Sequence, residues 1–366
     1  VWHRQVNDGY SEQQETTTLS RVMAREAAEA RLLRVALGLP EPVQRVLAGR
    51  ALVIDGQRLA VETQLMLRLK RLARLPSPAS MPVAEGRLAT LHETRVAGGT
   101  LPIGAVRDLP VGDLPGRLYT PSDDPEDPTG LLVFFHGGGF VFGDLDSHDA
   151  PCRFLAERAG VRVLAVDYRR APEHSFPAAH DDALAAYRWA LDNAASLGVD
   201  PQRIAVGGDS AGGTLAAATA VSAALEGLPL AFQLLVYPAT DATRQTRSYE
   251  LFGQRGLYLT SEYMDLANAS YLPDERDRTD PRASPLFEKI PDGLAPAYIA
   301  TAGFDPLRDE GEAYARLLSE AGVEVEMHRF ADQIHGFFNV LGPGRRSRAA
   351  VAEIAVKLRA GLAPQG

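Results

Sequence analysis

The chain contains a single cysteine, Cys152, among its 366 residues. One thiol cannot close an intramolecular disulfide, and a thiolate metal cluster needs several. Long hydrophobic runs are missing as well: no stretch reaches the roughly 18 apolar residues of a membrane span. The polar opening from Val1 to Ser20 lacks the apolar region of a secretory leader, so a cytoplasmic protein is expected. Positive charge is in deficit, with 38 Lys and Arg against 47 Asp and Glu, a net charge of −9 and a pI near 5.5. That balance argues against a nucleic-acid partner and against an anionic membrane surface. There is no H-E-x-x-H, no Gly-Lys-Ser/Thr phosphate loop and no G-x-G-x-x-G, and His174, His180 and Asp181 show no recognisable ligand spacing. No metal and no organic cofactor is expected. Internal repeats and low-complexity tracts are also absent.

What remains is globular composition, 45% hydrophobic and 23% charged, in a chain long enough for one large core and a smaller lid. From Leu19 to Leu37 the apolar spacing is helical, and Gly38 with Pro40 makes a stop. A second helix is read from about Leu59 to Leu75, with Leu65, Met66, Leu69, Leu72 and Ala73 as its apolar stripe. Pro76, Pro78 and Pro82 break the pattern, which places an N-terminal helical segment and linker at 1–82 and the main domain at 83–366. Short strands follow at Ala89 to Val96, Ile103 to Asp108 and Arg117 to Tyr119, and then the acidic loop Ser122 to Pro128. Beyond it, strand and helix alternate: Leu131 to Phe135, Ser147 to Ala159, Val161 to Val166 and Ala178 to Ala195. The alternation resumes with Leu234 to Tyr237, Ala297 to Thr301, Leu307 to Ala321, Val323 to Phe330 and Ser347 to Leu362. It predicts an α/β fold with a mostly parallel central sheet flanked by helices. Asp241 to Pro296 lacks strand rhythm and carries one predicted helix, Ser261 to Tyr271, which marks it as a second lid insertion. Cys152, in the helical pattern of Phe154, Leu155 and Ala159, reads as packing.

Four segments carry chemistry. Arg203 to Gly213 joins the apolar run Ile204 to Val206 to an alanine-rich helix through Gly208-Asp209-Ser210-Ala211-Gly212. Five residues of this kind also fit a plain strand-to-helix turn, but the strand before and the helix after supply the context of an exposed nucleophile. The first helical amide, from Ala211, faces a developing oxyanion. His136-Gly137-Gly138-Gly139-Phe140 follows a strand end, and its glycines free backbone amides to meet an anion, making Gly137 or Gly138 a second donor. His136 itself reads as shaping that loop. Asp305-Pro306 reads first as a helix cap and also as the carboxylate that orients a histidine at a strand end. His335-Gly336-Phe337 follows the loop Ala331 to Ile334, while the rival His328 lies inside a strand. The order Ser210, Asp305, His335 is that of an α/β-hydrolase.

With these segments assembled, the chain resembles the hormone-sensitive-lipase family of α/β-hydrolases, the bacterial family IV esterases. The resemblance runs from about Leu88 to the C-terminus. It rests on His136 to Phe140, Gly143-Asp144, Ser147-His148-Asp149, Asp167-Tyr168-Arg169, Ala171-Pro172-Glu173, Gly208 to Gly213, Tyr237-Pro238, Asp305 to Gly311 and His335 to Phe337. It implies a Ser210–Asp305–His335 triad, an oxyanion hole from the Gly137, Gly138 and Ala211 amides, and an N-terminal cap over the catalytic mouth. It further implies a serine carboxylesterase acting on short- to medium-chain esters through an acyl-enzyme, with a small-molecule ester as its partner. Arg170 stands where the family usually has Leu, which implies different packing beside the tyrosine-arginine motif; Ala267 and Asn268 stand where relatives often carry aromatics, which implies a wider or more polar lid-side pocket. The residues leave open a hydrolase of amides, lactones or thioesters. A non-catalytic binding protein on the same scaffold is the other alternative, and the retained His335 argues against it. Nothing in the sequence decides between monomer and homo-oligomer.

Overall fold

The structure is a computed structural model that describes residues 24–123 and 129–364. The arm from Val1 to Ser20 and most of the loop Ser122 to Pro128 therefore lie outside the described residues. Residues 24–38 form α1. There follow α2 (Glu41–Ala48), the small hairpin β1 (Val53–Ile54) and β2 (Gln57–Arg58), α3 (Val61–Leu72) and α4 (Val83–Gly98). The main sheet begins with β3 (Ala105–Val111), β4 (Leu114–Thr120), β5 (Thr129–Phe135), α5 (Asp149–Ala159), β6 (Arg162–Val166) and α6 (Ala178–Asp192). It continues with β7 (Val199–Asp209), α7 (Ala211–Glu226) and β8 (Phe232–Val236). Two helices, α8 (Arg247–Phe252) and α9 (Ser261–Tyr271), precede β9 (Ala297–Phe304), α10 (Arg308–Glu320), β10 (Val325–Ile334) and α11 (Arg345–Gly361).

Eight strands make one sheet in the order β10-β9-β8-β7-β5-β6-β4-β3. The β3–β4 and β4–β6 pairs are antiparallel, and the six strands from β6 to β10 run parallel. A parallel sheet needs cover on both faces, and the period of two along β5 supplies it. Leu131, Val133 and Phe135 enter one apolar cluster with side chains of α6, α7 and α10. Leu132 and Phe134 enter the opposite cluster, with α5 and α11. All seven residues of β5 are buried. A third cluster sits above the carboxyl ends of β9 and β10, where Leu67 of α3 meets Phe252, Leu257, Phe304 and Ile334. The N-terminal helices and the 241–296 segment thus pack together over the edge where the chemistry-bearing loops emerge.

Four readings need correction. Ala89 to Val96 is not a strand but the body of α4, whose inward positions Gly86, Thr94 and Gly98 are small or polar and give no hydrophobic stripe. The spacing serves close approach: a Cβ on Gly86 would lie 2.5 Å from the Pro78 carbonyl, and one on Gly98 would lie 2.7 Å from Ala150. In α3 the buried residues are Glu62, Thr63, Gln64, Leu65 and Leu67, whereas Leu72 is 70% exposed. Glu62 and Gln64 are held there by hydrogen bonds, Glu62 from the Arg346 amide at 2.6 Å and Gln64 with Leu52, Ala48 and Arg50. The 241–296 segment holds α8 as well as α9, a helix too short for periodicity to reveal and fixed by the Thr246 side chain accepting from the Tyr249 amide. Finally, β10 does not stop at Phe330. It resumes after an irregularity and pairs Ile334 with Phe304.

Candidate active site

The first residue beyond β7 is Ser210, and α7 starts at the next residue. Its backbone stands at φ 56°, ψ −119°, outside the regions that L-residues prefer. Two glycines make this turn possible. A Cβ on Gly208 would lie 2.3 Å from the Phe135 carbonyl oxygen, and one on Gly212 would lie 1.9 Å from it. The turn is therefore pressed against the end of β5, and the strain is held by surrounding structure.

Asp305 is the first residue beyond β9 and His335 the first beyond β10. The parallel sheet thus delivers three side chains to one edge, its carboxyl end, from strands far apart in sequence. His335 Nε2 lies 3.0 Å from Ser210 Oγ, and His335 Nδ1 lies 2.7 Å from Asp305 Oδ2. The other carboxylate oxygen of Asp305 accepts the Leu307 amide at 2.9 Å. Helix α10 begins only at Arg308, with Leu307 at its cap position, so Asp305 organises the turn before the helix and holds the imidazole at once. The neighbouring carboxylate Asp309 is engaged elsewhere: it accepts the Ser248 amide at 2.8 Å and the Arg308 guanidinium at 2.8 Å. His328 lies on β10 with its ring 44% exposed, against Glu353 of α11.

The glycine loop after β5 requires a correction at Gly137. Its N–H donates to Asp209 Oδ1 at 2.8 Å, which removes it from the set of donors free to meet an anion. Gly138 and Gly139 are half-buried and line the same cavity as Ser210. Their amides, and that of Ala211, make no loop or cap bond among the described residues. Gly138 stands at φ 125°, with the site of a Cβ only 2.2 Å from the Phe142 carbonyl oxygen, so no other residue fits there. Gly139 was not picked out from the sequence, where three adjacent glycines look alike. His136 stacks on Tyr168 at 4.2 Å between ring centroids, and the Tyr168 hydroxyl donates to the His136 carbonyl at 2.6 Å.

Asp209 supports this loop from below. It is buried, with His148 Nε2 at 3.2 Å and the Tyr237 hydroxyl donating at 3.3 Å. Burial alone raises a carboxyl pKa, but His148 and the Gly137 amide outweigh it and hold Asp209 below the usual carboxylate range. Cys152 is fully buried, and burial pushes its thiol well up, as befits packing.

Two hollows meet at Ser210. The larger, about 250 Å³, is bordered by His335, the glycine loop, Leu67 and Lys70 of α3, and Tyr258. The smaller, about 30 Å³, is bordered by Ala211, Gly139, Met264, Leu307 and Arg244, and His335 does not reach it. Among the described residues, no group of three His, Cys, Asp or Glu side chains is placed to hold a metal, and no helix is long and apolar enough to cross a membrane.

Residues 132–339 match a family model described as the alpha/beta hydrolase fold. Carboxylic ester hydrolase LipN of Mycobacterium tuberculosis is 44% identical over 340 residues, covering 88% of this chain and 89% of that protein. Ethyl acetate hydrolase of Pseudomonas putida is 44% identical over 230 residues, covering 62% of this chain and 72% of the relative. Among solved structures, an alpha/beta hydrolase enzyme from the metagenome of Lake Arreo, Spain, superposes with a TM-score of 0.79 at 39% identity, over 82% of this chain and 98% of that one. A hyperthermophilic esterase from the archaeon Pyrobaculum calidifontis gives a TM-score of 0.77 at 38% identity, again over 82% and 98%.

Proposed function

The chain belongs to the α/β-hydrolase fold family, in its hormone-sensitive-lipase branch, and is a carboxylic ester hydrolase; on that premise we propose that it works as a serine esterase through an acyl-enzyme, with Ser210 as nucleophile. The observation that carries the reading is the unbroken chain of contacts Ser210–His335–Asp305, 3.0 and 2.7 Å long, at a strained turn that opens on a cavity. His335 Nε2 accepts the Ser210 proton as Oγ attacks the ester carbonyl, and buried Asp305 fixes the tautomer and stabilises the imidazolium. The Gly138, Gly139 and Ala211 amides receive the oxyanion, each donor contributing roughly 2.7–4 kcal/mol in the transition state. His335 then protonates the leaving alcohol. Water takes the alcohol's place and attacks the acyl carbonyl as it gives its proton to His335; the acyl–Oγ bond then breaks and His335 returns the proton to Ser210, which frees the acid.

This proton traffic assigns the two hollows. The leaving oxygen must lie within reach of His335, so the alcohol occupies the larger hollow, which His335 borders, and the acyl group enters the smaller one beside Ala211. A space of about 30 Å³ favours short acyl chains at the lower end of the short- to medium-chain class. With a graded series of p-nitrophenyl esters, kcat/KM should peak at short acyl groups and fall steeply beyond about four carbons. A maximum at long acyl chains would reverse the assignment of the hollows.

The N-terminal segment 1–82 and the 241–296 insertion act, in this reading, as a two-piece cap. Leu67, Lys70 and Arg71 from the first and Tyr258, Leu259 and Tyr263 from the second border the larger hollow, where they exclude water and shape the alcohol site. Deleting residues 1–75 removes α1 to α3 and uncovers Phe252, Leu257 and Ile334, which pack beside Leu67. The truncated protein is expected to self-associate and to lose about 10²-fold in kcat/KM, because a substrate left without walls is poorly positioned. Size-exclusion chromatography and ester turnover check this, and a monodisperse fragment with full turnover would rule out the cap.

A further inference from the structure

The small hollow is apolar on most sides, yet among the described residues Arg244 is the one charged side chain bordering it. Its guanidinium is mostly buried, at 13% exposure, and short of partners. Nε is buried without one. Nη1 reaches the Asp241 carbonyl at 3.5 Å and Nη2 reaches Asn268 Oδ1 at 3.4 Å, both long against the roughly 2.7–2.9 Å of well-formed charge-assisted bonds. Glu310 Oε1 is 3.6 Å away and already accepts the Thr240 amide at 2.9 Å and the Asp241 amide at 3.2 Å. Burial pushes the Glu310 carboxyl up to about 8 against the lowering effect of Arg244. The Glu310 oxygen nearest the guanidinium is thus engaged by two backbone amides and stands beyond hydrogen-bond distance of it.

The backbone adds a second observation. Arg244 stands at φ 60°, a left-handed conformation that glycine or asparagine adopts at less cost. A long cation kept at such a position, in a chamber that touches Ser210, with donors unspent, is an arrangement that costs stability unless a ligand completes it. Asn268, beside it, borders the same chamber and holds its own amide on the Ala242 carbonyl at 3.0 Å. It is therefore oriented with its oxygen toward Arg244.

We propose that Arg244 is a specificity-determining residue of the acyl site: it donates a hydrogen bond to an oxygen near the far end of a short acyl group, so that esters of short oxo acids or dicarboxylic acids are preferred over esters of plain fatty acids of equal length. The proposal rests on the acyl assignment of the small hollow made above. An acyl group that ends in methyl leaves the guanidinium desolvated with only its two long hydrogen bonds, whereas a keto or carboxylate oxygen gives it a closer acceptor. A site built to pair a polar group discriminates strongly against the analogue that lacks it.

The test compares matched ethyl esters with the full-length enzyme by pH-stat: 4-oxopentanoate against pentanoate, and the monoester of succinic acid against butanoate. Each kcat/KM is divided by the ester's rate of hydroxide-catalysed hydrolysis to remove intrinsic reactivity. The oxygenated member of at least one pair should be favoured about tenfold or more. A gain in the first pair identifies a neutral acceptor, and a gain in the second an anionic one. Arg244→Leu should collapse that preference by about ten- to a hundredfold, and Arg244→Lys should keep part of it for the carboxylate. Because the wild-type ratios need no variant, they decide the matter even where a variant fails to fold. Turnover of butanoate with both ratios at or below one would overturn the role of Arg244 while leaving the catalytic reading intact. An unchanged preference in folded Arg244→Leu would do the same. No turnover of any of the four esters would overturn the catalytic reading and this proposal with it.

Discussion

Ser210→Ala should reduce ester turnover by roughly 10⁴- to 10⁶-fold and abolish covalent labelling by an organophosphate. The size of the effect follows from what the turn is built to do. It holds one side chain at positive φ, presses two glycines against the end of β5, and aims the amino end of α7 at the same point. Among the described residues the hydroxyl has one hydrogen-bond partner, His335 Nε2 at 3.0 Å, so removing it deletes the proposed nucleophile without opening a network. The variant should also fold, since alanine meets the same backbone demand as serine and Ser210 is buried to all but 9% of its surface. Residual hydrolysis would then report what the amide donors and the cavity contribute alone. Steady-state rates with a short-chain p-nitrophenyl ester and mass spectrometry after organophosphate treatment measure both outcomes. Stoichiometric labelling of the variant would remove Ser210 from its role.

The parts of this site that could be read from sequence are those where one residue type is required at one spacing. Glycines at 208 and 212 around a serine, and a carboxylate and a histidine each just past an apolar run, are demands of turn geometry and sheet edge that survive in a linear string. The loops that bring Ser210, Asp305 and His335 together carry little hydrophobic signal, but strand order in an alternating chain already sets them at one edge of the sheet. What escaped has physical reasons. Helix α4 buries Gly86, Thr94 and Gly98, so its inner face is chosen for closeness and carries no apolar period. Leu72 completes an apolar stripe on paper yet points to solvent, because α3 buries polar side chains whose partners lie across the fold. Which glycine of three donates to an anion depends on where Asp209 sits, 72 residues away in sequence. Asn268 and Ala267 mark the lid-side pocket as unusual in the sequence, but the cation that shares it, Arg244, lies in a segment with no motif, and only the folded chain brings its guanidinium to that pocket with a buried, unbonded Nε.

The support beneath the glycine loop explains why the residue before Ser210 is acidic. Asp209 lies under both arms of the proposed oxyanion site: it ends β7, just before Ser210, and its carboxylate receives the Gly137 amide from the other loop at 2.8 Å. By occupying the first amide it fixes the loop so that the next two remain free to face the cavity. The Tyr237 hydroxyl donates to it from the end of β8, and His148 Nε2 lies 3.2 Å from it on the approach to α5. Tyr237 also lies against the His335 ring, 4.4 Å between centroids. One buried carboxylate thus links the glycine loop, through Tyr237, to the His335 ring.

His335→Ala should lose as much as the serine variant, roughly 10⁴- to 10⁶-fold in kcat, whereas His328→Ala should stay within a few-fold of the parent. Both histidines belong to the β10 region, and the contrast lies in how each is held. His335 is 5% exposed and bonded on both ring nitrogens, to Asp305 Oδ2 on one side and Ser210 Oγ on the other. A base caught between a buried carboxylate and a hydroxyl has its tautomer, its orientation and its proton acceptor fixed at once. His328 faces the other way: its ring stacks on Phe330 at 4.4 Å and its Nδ1 bonds Glu353 of α11. With 44% of its side chain in contact with solvent, that pair is a surface contact worth about 1 kcal/mol or less. His328→Ala can therefore lower the melting temperature slightly while leaving the rate at the Ser210 edge intact. Parallel measurement of kcat/KM and thermal unfolding for the two variants separates these effects. A large loss of rate in His328→Ala with near-normal turnover in His335→Ala would show that the proton passes through the wrong end of β10 and would overturn the assignment of the base.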